Sequence, residues 1–314
     1  MRTALRLCAL IGSMHCVAAF AQPPVEDPSA RFASPLIVAH RGGAADFPEN
    51  TLVAVRGSLA NGADAIWLSV QLSGDGVPVL YRPQDLSALT NSRGPVSAWT
   101  WRELKRVNAG WNFRVEGAHG AIRYPYRARQ VPVPTLESVL ARIPRSVPVV
   151  LDMKSLPAEP LVAAVANVLQ RRNEWSRVLL YSTDASFDPL WARYPRAQRF
   201  ETRDDTRGRL VTQLLSGRCE PPKVARWSAF ELRRRFEVTE TFTLGEGHSQ
   251  VDAELWTDAT MACFRQGHGS ARLLWIGINT RSDYRHAQAL GADAVLVDSP
   301  AQARDWIAQG VPGR

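Results

Sequence analysis

Cysteine is scarce in this chain, four in 314 residues, and two of the four, Cys8 and Cys16, fall within the first 21 positions. No Cys-x-x-Cys spacing occurs, which argues against a dithiol redox centre. If the leader is removed, Cys219 and Cys263 remain; in an oxidising compartment they have one intramolecular pairing, and two separate buried thiols are the alternative. Apolar runs are short as well, and none reaches the roughly 20 residues that a membrane-spanning helix needs. Charged residues are sparse at 22%, and the net charge of +8 reads as Arg-rich helical faces such as Arg171/Arg172 and Arg233 to Arg235, not as one basic tail. Without aromatic-basic alternation or a nucleic-acid motif, that charge is a poor case for nucleic-acid binding. No internal repeat or low-complexity tract stands out.

The first 21 residues are a separate composition: Arg2 and Arg6, the apolar run from Leu7 to Phe20, then Ala19-Phe20-Ala21. This is the order of a secretory signal with a small-x-small cleavage site. A membrane anchor is the competing reading, and the run is short for it; Met14-His15 ahead of Cys16 is a poor lipidation signal. Residues 22–34 read as a flexible tether, and the mature chain is expected in the periplasm or outside the cell, with no membrane span and an oligomeric state left open.

From Leu36 onward, short apolar runs alternate with segments of helical period, which is the pattern of a parallel α/β protein. Strands are expected near Leu36–His40, Ala65–Leu72, Val77–Arg82, Val147–Met153, Val178–Ser182, Ala197–Glu201, Arg272–Ile278 and Ala294–Asp298. Helices are expected at Asn50–Ala60, Thr100–Val107, Pro134–Arg142, Ala158–Arg172, Thr206–Leu215, Asp252–Gln266 and Arg281–Leu290. Eight strands suit a closed (β/α)8 TIM-type barrel over residues 35–314. The Gly-, Pro- and aromatic-rich stretch at about 84–146 reads as an insertion after the third strand. Active sites of such barrels lie at the carboxyl ends of the strands, so the polar residues that finish the apolar runs are the candidates: His40, Arg41, Arg82, Asp152, Lys154 and Asn279.

Leu36-Ile-Val-Ala-His40-Arg41-Gly42-Gly43 followed by Pro48-Glu49-Asn50-Thr51 resembles the opening signature of the glycerophosphodiester phosphodiesterase family. The resemblance continues in order through Gly62-Ala63-Asp64, Asp75-Gly76-Val77-Pro78-Val79, Val133-Pro134-Thr135-Leu136-Glu137, Leu151-Asp152-Met153-Lys154 and Gly291 to Pro300, ending Val297-Asp298-Ser299-Pro300. It implies a TIM-type barrel that hydrolyses glycerophosphodiesters to glycerol 3-phosphate and an alcohol. Two histidines would do the acid/base work, and carboxylates would hold a Ca2+ or Mg2+ ion that neutralises charge at the phosphorus.

The chain departs from that pattern at the reacting groups. Where the family presents Glu-x-Asp on the second strand, the register here reads Trp67-Leu68-Ser69. Strand alternation turns Trp67 and Ser69 inward, and an indole is no ligand for a hard cation. Where the third strand would end in His-Asp it ends in Arg82-Pro83, and arginine cannot shuttle a proton. Asp152 replaces a glutamate and reaches about 1.5 Å less. Glu49 and Asp152 remain as weak metal ligands, so no cofactor is assigned. His40 and Arg41 are the catalytic candidates; Arg82, Lys154 and Asn50 are the phosphate-binding ones, with Arg82 standing in part for the missing cation. Three readings stay open: a member with lost or altered catalysis that binds a phosphate-containing ligand, a working phosphodiesterase with a rearranged site, and a non-catalytic interaction protein. His119 and His248 are loop histidines; His268 and His286 carry no role.

Overall fold

The computed structural model describes residues 34–266 and 271–309. The expected export signal, nearly all of the tether and His268 lie outside the described residues. In chain order the elements are β1 (Leu36–His40), α1 (Leu52–Ala60), β2 (Ala65–Leu72), β3 (Pro78–Leu80), α2 (Trp101–Leu104), β4 (Val115–Glu116), β5 (Ile122–Arg123), α3 (Leu136–Leu140), β6 (Val149–Met153), α4 (Ala158–Arg172) and β7 (Val178–Tyr181). There follow α5 (Phe187–Leu190), β8 (Gln198–Arg199), α6 (Arg203–Ser216), β9 (Trp227–Glu231), β10 (Arg233–Phe242), β11 (Gly245–Glu254), α7 (Asp258–Arg265), β12 (Arg272–Ile276), α8 (Arg281–Ala289), β13 (Ala294–Val297) and α9 (Pro300–Ala308).

Eight strands run parallel in the order β8-β7-β6-β2-β1-β13-β12-β9. A parallel bridge from Phe200 to Trp227, with the Glu201 N–H donating to the Trp227 carbonyl at 2.8 Å, joins the two ends of that path. The result is a (β/α)8 TIM-type barrel. Its two layers follow from strand alternation. On β2, Ile66, Leu68 and Val70 pack outward against α4 residues such as Leu161 and Val165. Trp67 joins Val38, Val150, Tyr181, Phe200, Ala229 and Leu296 inside the barrel.

Three expectations need correction. The segment expected as the third barrel strand is β3, which pairs antiparallel with β2, Val70 opposite Leu80. The link from Ser73 to Val77 is a tight turn with Gly76 at φ +79°, whereas a parallel crossover takes a dozen or more residues. The insertion therefore follows the second barrel strand and its hairpin, and the missing barrel strand is β9. The helix expected over Asp252–Gln266 starts only at Asp258, capped by Thr257; residues up to Glu254 belong to β11. Arg233 to Arg235 are not a helical face: they open β10, which pairs with β11 as a two-stranded ribbon.

The insertion has its own small core of Val79, Tyr81, Leu86, Val96, Leu104, Val107 and Val133. Cys219 and Cys263 form a disulfide, with Cα atoms 5.4 Å apart, between the segment after α6 and helix α7.

Candidate active site

The inward-facing residues at the carboxyl ends of the barrel strands form one layer. In the parallel register His40 stands beside Trp67, and Ser69 beside Asp152. Immediately after β1 the chain turns sharply: Arg41 and Asn50 take left-handed φ values of 52° and 57°, and Gly42 and Gly43 values of 77° and 89°. Such angles are uncommon for side-chain-bearing residues. Here the Asn50 N–H donates to the Arg41 carbonyl at 2.7 Å, and the Asn50 side-chain oxygen accepts from the Ser69 N–H at 2.8 Å. Asn50 is 1% exposed and ties the first loop to β2, so its oxygen is committed to the backbone instead of a ligand.

The Nδ1 atom of His40 lies 2.7 Å from Asp298 Oδ1, and the other carboxylate oxygen of Asp298 accepts from the Asn279 side chain at 2.7 Å. Burial pushes the Asp298 carboxyl up, but the hydrogen bonds from His40 and Asn279 and the charges of His40 and Arg41 outweigh it, leaving the group below its ordinary range. Asp298 thus fixes the imidazole by one nitrogen and leaves Nε2 for a ligand.

Both remaining carboxylates are occupied. Glu49 accepts from Arg41 Nη1 at 2.6 Å, and Asp152 sits 2.8 Å from the Lys154 ammonium. Burial raises the Asp152 carboxyl above its ordinary value against the opposing charge of Lys154 and the nearby Trp67 and His40. Trp67, 2% exposed, fills the barrel axis, its ring 4.8 Å from Tyr181 and 5.9 Å from Phe200. Among the described residues no three His, Cys, Asp or Glu side chains converge. A Ca2+ or Mg2+ ion would have to draw on Glu49 and Asp152, with waters completing its shell, and each of these carboxylates already pairs with a cation of the chain. Arg82 lies exposed just beyond β3, whereas Arg41 and Lys154 are half-buried.

Several buried polar atoms at the mouth lack a hydrogen-bond partner among the described residues: the donors Arg41 Nε and Trp67 Nε1, the hydroxyl Ser69 Oγ, and the acceptor Asp152 Oδ1, whose contact with the Lys154 ammonium is an ion pair. Each such group carries an uncompensated desolvation cost until it finds a partner.

A second charged group escaped the sequence reading. Arg203 donates to both oxygens of Glu231, at 2.8 and 2.7 Å, and to the Tyr181 hydroxyl at 3.2 Å, while stacking 4.3 Å above the Phe230 ring. Glu231 ends β9, the strand that was missed, so its position at the barrel mouth was not visible. Asp298, by contrast, stood in the quoted terminal motif without a role. His119 lies in the insertion and His248 on β11, paired with Glu237 at 3.1 Å; neither reaches this layer.

The chain matches the model of the glycerophosphoryl diester phosphodiesterase family over residues 40–203. It is 47% identical over 273 residues to the Mycobacterium tuberculosis protein Rv2277c, a match covering 87% of this chain and 89% of that one. The crystal structure of the glycerophosphoryl diester phosphodiesterase domain of Rv2277c superposes with a TM-score of 0.81 at 45% identity, over 88% of this chain and all of that domain. Glycerophosphodiester phosphodiesterase 1 of Rattus norvegicus is 33% identical over 132 residues, 40% of this chain and 39% of its own. An Oleispira antarctica phosphodiesterase solved with its product sn-glycerol-3-phosphate shares the fold, with a TM-score of 0.64 at 20% identity over 90% and 99% of the two chains. On the strength of the ordered motifs, the barrel and these matches, the chain belongs to the glycerophosphoryl diester phosphodiesterase family.

Proposed function

We propose that this protein is an exported member of the family that binds a phosphate-containing small molecule, a glycerophosphodiester or its glycerol 3-phosphate product, at the barrel mouth without metal-assisted hydrolysis. One observation carries the reading: Glu49 and Asp152 each pair with a cation of this chain, while Arg41 Nε, Trp67 Nε1 and the Ser69 hydroxyl are unmatched, with Asp152 Oδ1 the one unmatched acceptor beside them among the described residues. A site with spare donors and committed carboxylates suits the oxygens of an anion, not a cation. Arg41 and Lys154 offer the anion the donor capacity that their carboxylate partners leave free, and His40 Nε2 adds a further polar contact. The disulfide between Cys219 and Cys263 supports the extracytoplasmic location, where such bonds persist.

A second reading rests on the His40–Asp298–Asn279 chain, which is the arrangement that would hold a general acid/base in one tautomer. Under that reading His40 turns over the diester slowly and unaided. Calorimetric titration with glycerol 3-phosphate in the presence of chelator separates these from a purely structural role. Binding unaffected by chelator, and weakened about 10- to 100-fold in Lys154→Gln and in Arg41→Gln, is the expected result, since hydrogen bonds to charged groups contribute about 1.5–3 kcal/mol each. Binding that appears only with added Ca2+ or Mg2+ would refute it, and no binding in either condition would leave the interaction role.

A further inference from the structure

The net charge of the chain has an address. The insertion at 84–146 holds ten of the Lys and Arg residues against four Asp and Glu, a net of +6 out of +8 for the whole chain. Nine of the ten, namely Arg93, Arg102, Lys105, Arg106, Arg114, Arg123, Arg127, Arg129 and Arg142, are exposed and make no ion pair within 4.0 Å among the described residues. Outside the insertion more of the arginines are paired: Arg193, Arg207, Arg209, Arg233 and Arg265 each have a carboxylate partner, while Arg56, Arg281 and Arg285 have none among the described residues.

Local contacts gather the densest part of this charge. Gln130 donates to the Arg106 carbonyl, Val115 on β4 pairs with Arg123 on β5, and the Arg127 guanidinium stacks 3.6 Å over Tyr124 and 5.3 Å over Trp111. Half-buried aromatic side chains, Trp111, Phe113, Tyr124 and Tyr126, lie between these cations, and Ile122 stands 53% exposed at the β5 strand. The patch adjoins the barrel mouth: Asn112, Phe113 and Arg114 line one cavity with Pro48 and Glu49.

We propose that this lip of the barrel mouth docks on a bilayer carrying anionic phospholipid, holding the phosphate site against the lipid surface. Two features favour lipid over other polyanions. Contrary to the expectation of charge on helical faces without aromatic alternation, the cations of the folded insertion are interleaved with amphipathic aromatics and an exposed isoleucine, groups that settle at the headgroup level of a membrane. The patch is built of short β-strands and turns and offers no helix or ribbon of the length that enters a nucleic-acid groove. Each basic side chain near an anionic surface contributes about 1 kcal/mol, a factor of about five in partitioning, and the effect falls off within a Debye length.

The test is cosedimentation of the purified protein with phosphatidylcholine vesicles with and without phosphatidylglycerol, at low and high salt. The variants are a lip triple, Arg106→Gln with Arg123→Gln and Arg129→Gln, and a wall triple, Arg56→Gln with Arg281→Gln and Arg285→Gln on α1 and α8. None of the three lip side chains makes an ion pair among the described residues, and circular dichroism verifies that both triples fold. The expected result is salt-sensitive binding that requires phosphatidylglycerol, falls about a hundredfold in the lip triple and persists in the wall triple, which has lost the same net charge. Equal loss in both triples would reduce the effect to net charge and overturn the proposal. So would absence of binding to either vesicle, or preference for a DNA duplex over the vesicles at the same salt.

Discussion

At the residue scale, the site is a set of internal pairings that neighbours in sequence do not predict. His40 and Asp298 are 258 positions apart, yet they share a 2.7 Å contact because β1 and β13 are adjacent in the barrel. The sequence identified His40, Arg41, Asp152 and Lys154 at strand ends and Glu49 in the motif that follows β1, and left open whether the cations bind a ligand or pair with Glu49 and Asp152; the pairs form. Asn50 read as a ligand contact because of its motif; the backbone claims its oxygen. Two predictions belong here. The depressed Asp298 carboxyl stabilises the fold above the unfolded value of about 3.9, and this is lost as pH falls through the lower folded value. Melting temperature measured from pH 6 down to about pH 2 should therefore fall more steeply in the wild type than in Asp298→Asn; parallel curves would dissociate Asp298 from acid stability. Trp67→Ala leaves a hole along the barrel axis and should cost about 3–5 kcal/mol in urea unfolding, whereas a loss under about 1 kcal/mol would mean that Trp67 is not a packed plug.

At the scale of elements, period and length explain both the successes and the misses. Strands buried on both faces read as apolar runs, so β1, β2, β6, β12 and β13 were legible. β9 was overlooked because Trp227–Glu231 runs directly into Arg233 to Arg235, and charge masked the strand. The ribbon of β10 and β11 does alternate, with Phe236, Val238 and Phe242 on one face and Arg235, Glu237 and Thr239 on the other. Its length and the following true helix α7 drew the reading towards helix. β3 shows the reverse limit, since an apolar run fixes a strand but not its direction. The disulfide links elements 44 residues apart, and the chain-entropy account assigns a loop of that size about 4 kcal/mol. Denaturant unfolding with and without reductant should show a loss of about 2–4 kcal/mol; no difference would mean that the bond does not constrain the unfolded chain. Arg177, which ties buried Glu174 at 2.6 Å and donates to the carbonyls of Leu140, Pro144 and Val147, anchors the approach to β6. Replacing it by methionine should cost about 3–5 kcal/mol, because Glu174 would keep a buried charge with poorer partners.

For the molecule as a whole, the proposed function separates family membership from the family reaction. The barrel, its motif order and its relatives are those of the phosphodiesterase family, yet Trp67, Ser69 and Arg82 stand where the resemblance expects carboxylates and a histidine. A fold does not carry its reaction with it; the site does. Loss of a single electrostatic stabiliser typically lowers a rate about 10²–10³-fold, so under the proposed function, with the metal ligands and one acid/base group replaced, little hydrolysis is expected. The measurement that tests this most directly is release of glycerol 3-phosphate from glycerophosphocholine and glycerophosphoethanolamine by the purified protein, with and without Ca2+ or Mg2+, beside His40→Ala. No release above the His40→Ala background, in any cation, is the predicted result. Cation-dependent release abolished by His40→Ala would contradict it, and would mean that other residues rebuild the metal site around Glu49 and Asp152.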